Sequence, residues 1–227
     1  MIHSFLLIGQ SNMAGRGIAS EVEPLSQARI RLMKNGLWRA SFVPYHWDTD
    51  TAGVCLAESF ADAYKKDHPD VQVGLITAAD GGTCLDQWMP GQPLYENALL
   101  QGKCALATSE LKAILWHQGE ADCKSDRYPD YEKKCTYILT SLRKALNVDV
   151  PIIVGELGAY LADCPLDPEL KNYTHVNEAL KAMVKNNEGF ALVSAEGLTS
   201  NEDLLHFDAA SLRTFGLRYY EAYKNLE

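Results

Sequence analysis

The feature that most constrains the fold is an alternation along the chain: short apolar runs separated by longer amphipathic segments. The runs are Ile2–Ile8, Val71–Ala78, Leu111–Trp116, Pro151–Val154 and Phe190–Val193. None alternates cleanly between apolar and polar residues, as a strand with one wet face would. Continuous apolarity suits strands covered on both faces. Between them, Leu56, Phe60, Ala63 and Tyr64 share one face at helical spacing. Tyr128, Tyr131, Cys135, Ile138, Leu139, Leu142 and Leu146 form a longer stripe, with Lys133, Lys134, Arg143 and Lys144 opposite. Two further stripes are Tyr173, Val176, Leu180, Val184 and Leu212, Phe215, Tyr219, Tyr220, Tyr223, the last with Asp208 as N-cap. Strands alternating with helices predict an α/β fold whose parallel sheet is covered on both faces. Residues 14–53 are irregular, with one extra strand expected around Arg29–Met33, and Gly81–Pro93 reads as a loop.

The 227 residues suit one domain, 1–227, large enough to fold without a disulfide or metal staple. No repeat or linker divides them. The net charge is −9, which repels phosphate backbones and anionic lipid, so no nucleic-acid or membrane partner is expected. The run Phe5–Ile8 is too short for a signal-peptide core and has no basic segment before it, so a cytoplasmic address is expected. The cysteines at 55, 84, 104, 123, 135 and 164 form no close pair, and reduced, mostly buried thiols are expected.

In an open parallel sheet, ligands sit at the carboxyl ends of the strands. Four segments follow apolar runs: Gly9–Met13, Ala79–Thr83, His117–Asp122 and Gly155–Gly158. Ser11, in the turn after the first run, is either a turn or N-cap serine or an exposed hydroxyl for nucleophilic attack. A nucleophile needs a base, and the base an orienting partner. His206 has Asp203 three residues before it, a spacing that also arises by chance. Gly81-Gly82 offers bare backbone N–H groups and Gln118 a side-chain NH₂, donors of the kind that stabilise an oxyanion. Taken singly, these read as a tight turn and a structural hydrogen bond. Together, serine, glycine, amide and histidine each follow an apolar run.

Gly9-Gln-Ser-Asn-Met-Ala14, Gly81-Gly-Thr83, Trp116-His-Gln-Gly-Glu-Ala-Asp122 and Asp203-Leu-Leu-His-Phe-Asp208 resemble the SGNH hydrolase superfamily. Within it they resemble the branch of sialate O-acetylesterases and acetyl-xylan esterases. The resemblance runs from residue 5 to about residue 216. It implies a flavodoxin-like three-layer α/β/α sandwich and ester hydrolysis without metal or other cofactor. It also implies Ser11 as nucleophile, His206 as base, Asp203 as its orienting partner, and an oxyanion hole from Ser11 N–H, Gly81 N–H and Gln118. Gly82 is the alternative to Gly81, and Asp208 is a neighbouring rival to Asp203. The wider superfamily has asparagine where this chain has Gln118, and a glutamine there resembles the carbohydrate-acetylesterase branch. The implied substrate is a small-molecule or oligosaccharide acetyl ester, an acetylated sialic acid or xylo-oligosaccharide. The alternatives are a lipid esterase or thioesterase of the same superfamily, and a catalytically silent carbohydrate-binding relative.

Other residues have bland readings beside functional ones. His117, Glu120, Asp122 and Cys123 cluster in sequence without a zinc-like spacing, so no metal is expected. Glu120 reads as a loop or site hydrogen-bonder. Trp38, Tyr45, Trp47 and above all Trp88 lie in loop-like sequence and either stack on a sugar or anchor loops. Arg16 either reaches a polar substrate or is solvated.

Overall fold

The computed structural model describes all of residues 1–227. Seven strands form its centre: β1 (Ile2–Gly9), β2 (Ile30–Lys34), β3 (Leu37–Ala40), β4 (Gln72–Thr77), β5 (Glu110–His117), β6 (Ile152–Gly155) and β7 (Phe190–Val193). The helices are α1 (Ser11–Ala14), α2 (Leu56–Asp67), α3 (Pro93–Leu106), α4 (Tyr131–Ala145), α5 (Tyr173–Asn186) and α6 (Ala209–Lys224). The strand order is β3-β2-β4-β1-β5-β6-β7. Every neighbouring pair is parallel except β2 and β3.

Both faces of the sheet are dry, as the unbroken apolar runs predict. Along β1, Phe5 and Leu7 point to one side and Leu6 and Ile8 to the other, all fully buried. The strand period of two divides a continuous apolar run between two cores. The first core includes Tyr95 and Ala98 of α3, Ile138 and Leu142 of α4, and Val176 and Leu180 of α5. The second includes Phe60 and Tyr64 of α2 and Phe215 and Tyr219 of α6. The result is helix, sheet and helix in three layers. No helix is long and apolar enough to cross a membrane.

Two elements depart from the sequence expectation. The sheet is mixed, because β3 turns back antiparallel to β2 at one edge. The turn is Asn35-Gly36, both in the left-handed region at φ 52° and 74°, the conformation of a two-residue hairpin. The second is α3, which follows the expected loop. Pro93 opens it at the first helical position, where its missing N–H leaves no bond unmade. Its buried face is Tyr95, Ala98, Gly102 and Ala105, mostly small residues, while Leu100 remains 62% exposed, so the sequence shows no clear apolar stripe.

Setting the β2–β3 hairpin aside, β4-β1-β5-β6-β7 has the flavodoxin-like order 2-1-3-4-5. Connections leave β1 toward one edge and β5 toward the other. The crevice at this reversal lies at the carboxyl ends of β1 and β5.

Candidate active site

The end of β1 is pressed against the end of β5. Gly9 sits at φ 131°, and a Cβ there would lie 2.0 Å from the His117 carbonyl oxygen. Only glycine permits this approach. Gln10 N–H then donates to that same carbonyl at 2.9 Å, and α1 begins at the next residue. Ser11 thus stands at the head of α1, 5% exposed. Its own N–H lies in the opening turn, where amides have no intrahelical acceptor.

The loop between β7 and α6 carries His206 to this point. Asp203 organises the loop: its Oδ1 accepts from the N–H groups of Leu205 at 2.9 Å and His206 at 3.0 Å. Asp203 Oδ2 lies 2.7 Å from His206 Nδ1, and His206 Nε2 lies 3.0 Å from Ser11 Oγ. Partial burial opposes the charge on Asp203. The two backbone N–H groups and the imidazole outweigh it and hold the carboxyl below the usual range. Asp208 is engaged elsewhere. Its Oδ1 caps α6 through Ser211 N–H at 2.7 Å, and its Oδ2 accepts from Thr199 Oγ1 at 2.5 Å.

Asn12 is a residue the motif reading passed over. Its Oδ1 accepts from Phe207 N–H at 3.0 Å and its Nδ2 donates to the Leu205 carbonyl at 3.2 Å. The residue next to the serine thus grips the chain on both sides of His206. Its Nδ2 also donates to Glu120 Oε1 at 2.5 Å, which fixes which end of the amide faces which partner. Glu120 is 4% exposed and lies 3.5 Å from His117 Nε2. Burial pushes its carboxyl up, but His117 and Asn12 together bring it below the ordinary value. The sequence signal for Asn12 was only its adjacency to Ser11.

The glycine and glutamine donors are placed as follows. Gly81 N–H donates to Asp48 Oδ2 at 2.9 Å, and Asp48 pairs with Arg16 Nη2 at 2.5 Å. Both side chains of this pair are almost fully buried, so Arg16 is not a solvated residue. A Cβ built on Gly81 would be 3.6 Å from Ser11 Cβ, so this glycine lies beside the serine. Gly82, exposed at φ 71°, has an N–H with no acceptor in the protein. Gln118 is fully buried, and its Nε2 donates to the Thr83 carbonyl at 3.0 Å and to Asp122 Oδ2 at 2.6 Å. Asp122 Oδ2 also accepts from Leu85 N–H. Gln118 and Asp122 therefore stitch the glycine loop onto the end of β5. Burial raises the Asp122 carboxyl against these bonds.

Cys123 Sγ donates to the Gly119 carbonyl, and His117 lies among Phe207 and Phe215. Trp88 is fully buried, donates to Thr83 Oγ1 at 3.0 Å and meets Trp116 edge-on, so it packs the loop and cannot stack on a sugar. Tyr45 is likewise buried, and Trp38 Nε1 donates to Thr108. Trp47 is 59% exposed. All six cysteines are free, four of them buried.

Comparison with known proteins bears on this site. The model of the family described as carbohydrate esterase, sialic acid-specific acetylesterase matches residues 1–225. A probable carbohydrate esterase of Arabidopsis thaliana is 30% identical over 249 residues, covering 96% of this chain and 89% of that protein. The crystal structure of an Arabidopsis thaliana protein superposes with a TM-score of 0.88 at 26% identity, covering 98% of each chain. That of NanS superposes with a TM-score of 0.76 at 17% identity, over 99% of this chain and 97% of that one, a likeness of fold. The chain therefore has the SGNH hydrolase fold, belongs to the sialic acid-specific acetylesterase family of carbohydrate esterases, and is a carboxylic ester hydrolase.

Proposed function

We propose that this carbohydrate esterase is a serine acetylesterase, removing O-acetyl groups from sugars through an acetyl-enzyme. The observation that carries the reading is the line of contacts from Asp203 to His206 at 2.7 Å and from His206 to Ser11 at 3.0 Å. In the first step His206 Nε2 takes the Ser11 proton as Oγ attacks the acetyl carbonyl. Asp203 keeps the imidazole in the tautomer with Nδ1 protonated and stabilises the imidazolium that forms. The tetrahedral oxyanion forms beside the head of α1. Its donors are the Ser11 N–H and the Gly82 N–H, the latter replacing Gly81, whose N–H already serves Asp48. Gln118, with both amide hydrogens engaged, braces the loop that presents Gly82. The sugar alcohol leaves with the proton from His206. Water, activated by the same base, then releases acetate. Acetylated sialic acid and acetylated xylo-oligosaccharides are the two substrate classes that the family resemblance supports.

The test is hydrolysis of p-nitrophenyl esters from acetyl to octanoyl by the wild type and by Ser11→Ala. Acetate cleavage that vanishes in the variant, with little activity on octanoyl, is the expected result. A preference for long chains would transfer the protein to the lipid or thioester class. Undiminished acetate cleavage by Ser11→Ala would remove the serine from the mechanism.

A further inference from the structure

The two glycines of the loop after β4 are bare for different reasons. A Cβ on Gly81 would lie 2.5 Å from Arg16 Nη2 and 2.8 Å from Asp48 Oδ2, so a buried ion pair stands where its side chain would be. A Cβ on Gly82 would meet nothing within 4 Å; there the left-handed φ of 71° asks for glycine. The first glycine is dictated by what presses on it, the second by the turn it makes.

The pair that presses on Gly81 is joined to the serine turn. Arg16 directly follows Gly15, the residue that ends α1, and its Nη1 donates back to the Gly15 carbonyl at 2.9 Å. The guanidinium meets Asp48 with two prongs, Nη1 to Oδ1 at 3.3 Å and Nη2 to Oδ2 at 2.5 Å. Oδ2 also accepts the Gly81 N–H. A fork of this kind fixes a carboxylate in direction as well as in place. It also offsets the charge of a carboxylate that would otherwise oppose a negative oxygen forming close by. The loop is fastened on either side as well. Asp80 N–H donates to the Gly9 carbonyl at 3.0 Å, and Thr83 Oγ1 donates to the Asp80 carbonyl at 2.8 Å. The exposed Gly82 N–H, without an acceptor in the protein, lies between these anchors.

We propose that Arg16 and Asp48 are positioning residues of the oxyanion hole: the buried pair takes the Gly81 N–H out of use and holds the loop so that the Gly82 N–H meets the oxyanion. Both act through the glycine backbone rather than on the substrate. The inference rests on the serine acetylesterase reading and adds what sets its second amide donor.

Diethyl p-nitrophenyl phosphate supplies a stable mimic of the first intermediate. Ser11 Oγ attacks phosphorus as His206 takes the serine proton, p-nitrophenolate departs, and the phosphoryl oxygen is left where the oxyanion would sit. Gly81-Gly82 is the only Gly-Gly step in the sequence, so glycine carrying ¹³C at its carboxyl carbon and ¹⁵N marks the Gly82 amide alone in a spectrum of bonded ¹³C–¹⁵N pairs. A downfield move of the Gly82 amide proton on phosphorylation of the wild type is expected. Arg16→Met combined with Asp48→Leu removes the pair without leaving a lone buried charge. This double variant, with circular dichroism to verify folding, should lose that move and about 10²-fold in kcat on p-nitrophenyl acetate, the scale of one oxyanion donor, at little changed KM. Asp48→Asn keeps an acceptor for the Gly81 N–H and should recover most of both. A Gly82 amide that stays in place in the phosphorylated wild type overturns the proposal, as does a double variant that keeps both the move and kcat. Failure of Asp48→Asn to recover them overturns it too, by giving the effect to charge and not to the anchor. Failure of the esterase reading is seen separately, as p-nitrophenyl acetate cleavage that Ser11→Ala leaves intact.

Discussion

Burial of a neutral imidazole makes the fold sensitive to mild acid in a calculable way. His46, in the segment before α2, is 2% exposed, and neither ring nitrogen makes a well-formed hydrogen bond. Burial pushes its pKa from 6.5 down to about 3; Asp48 favours the charged form, while Lys34 and Arg16 oppose it. The unfolded chain therefore binds a proton at this residue more tightly than the folded one. The contribution of His46 is intact above pH 6.5 and is lost as the pH falls from there toward 3. Between pH 7 and pH 5 the loss amounts to about 2 kcal/mol. Leucine has a similar size and surrenders no hydrogen bond, so His46→Leu removes the titration without opening a hole. Urea unfolding of both proteins at the two pH values is the assay, since urea keeps the chain dispersed near its pI of about 5.2. The stability difference should shift toward the leucine variant by about 2 kcal/mol on acidification, or about 1 M in midpoint. A difference that stays the same at both pH values would refute the buried neutral imidazole.

Further outcomes follow from the site. Asp203→Asn should lower kcat on p-nitrophenyl acetate by about 10⁴-fold, as trapping a catalytic histidine in the wrong tautomer does, whereas Asp208→Ala should weaken the fold by about 1 kcal/mol through its lost cap and spare most activity; steady-state kinetics and thermal melts separate the two. Asn12→Ala leaves Phe207 N–H and the Leu205 carbonyl without their partner, so urea titration should show a loss of about 2–5 kcal/mol, and kcat should fall in the folded protein at low temperature. Gln118→Ala should lower the melting temperature together with kcat if it braces the glycine loop; a fall in kcat at unchanged melting temperature would identify it as a direct oxyanion donor.

The sheet was legible because its strands are buried on both faces, which leaves apolar runs that no amphipathic helix produces. The helices with one wet side were legible for the complementary reason. The helix at 93–106 was not, because its buried face is made largely of small residues, Ala98, Gly102 and Ala105, while Leu100 faces outward. The edge strand β3 was not, because residues 37–40 are mostly exposed and carry no apolar run. Its turn did leave a sign in Asn35-Gly36. At the site, Ser11 could be picked out because it falls just after a strand, and His206 because Asp203 stands three residues before it between the last strand and the last helix; the structure brings the three within hydrogen-bonding distance. The partners of Gly81 and Gln118 could not. Asp48 is 33 residues from Gly81, in irregular sequence, and nothing local indicates that it takes the amide. Asn12 was hidden because its partners, Leu205 and Phe207, supply only backbone atoms, which leave no mark on sequence.

The grip of Asn12 on the chain around His206 has a consequence for how this enzyme fails on heating. Ser11 and His206, the proposed nucleophile and base, are 195 positions apart, yet one side chain fastens them into a single mechanical unit. A loop that frays early usually silences an enzyme while the rest is still native. Here His206 cannot drift from Ser11 until that buried amide lets go, and it is held in turn by Glu120 beneath it. Inactivation and melting should therefore share one transition, and residual activity would serve as a direct readout of the folded fraction.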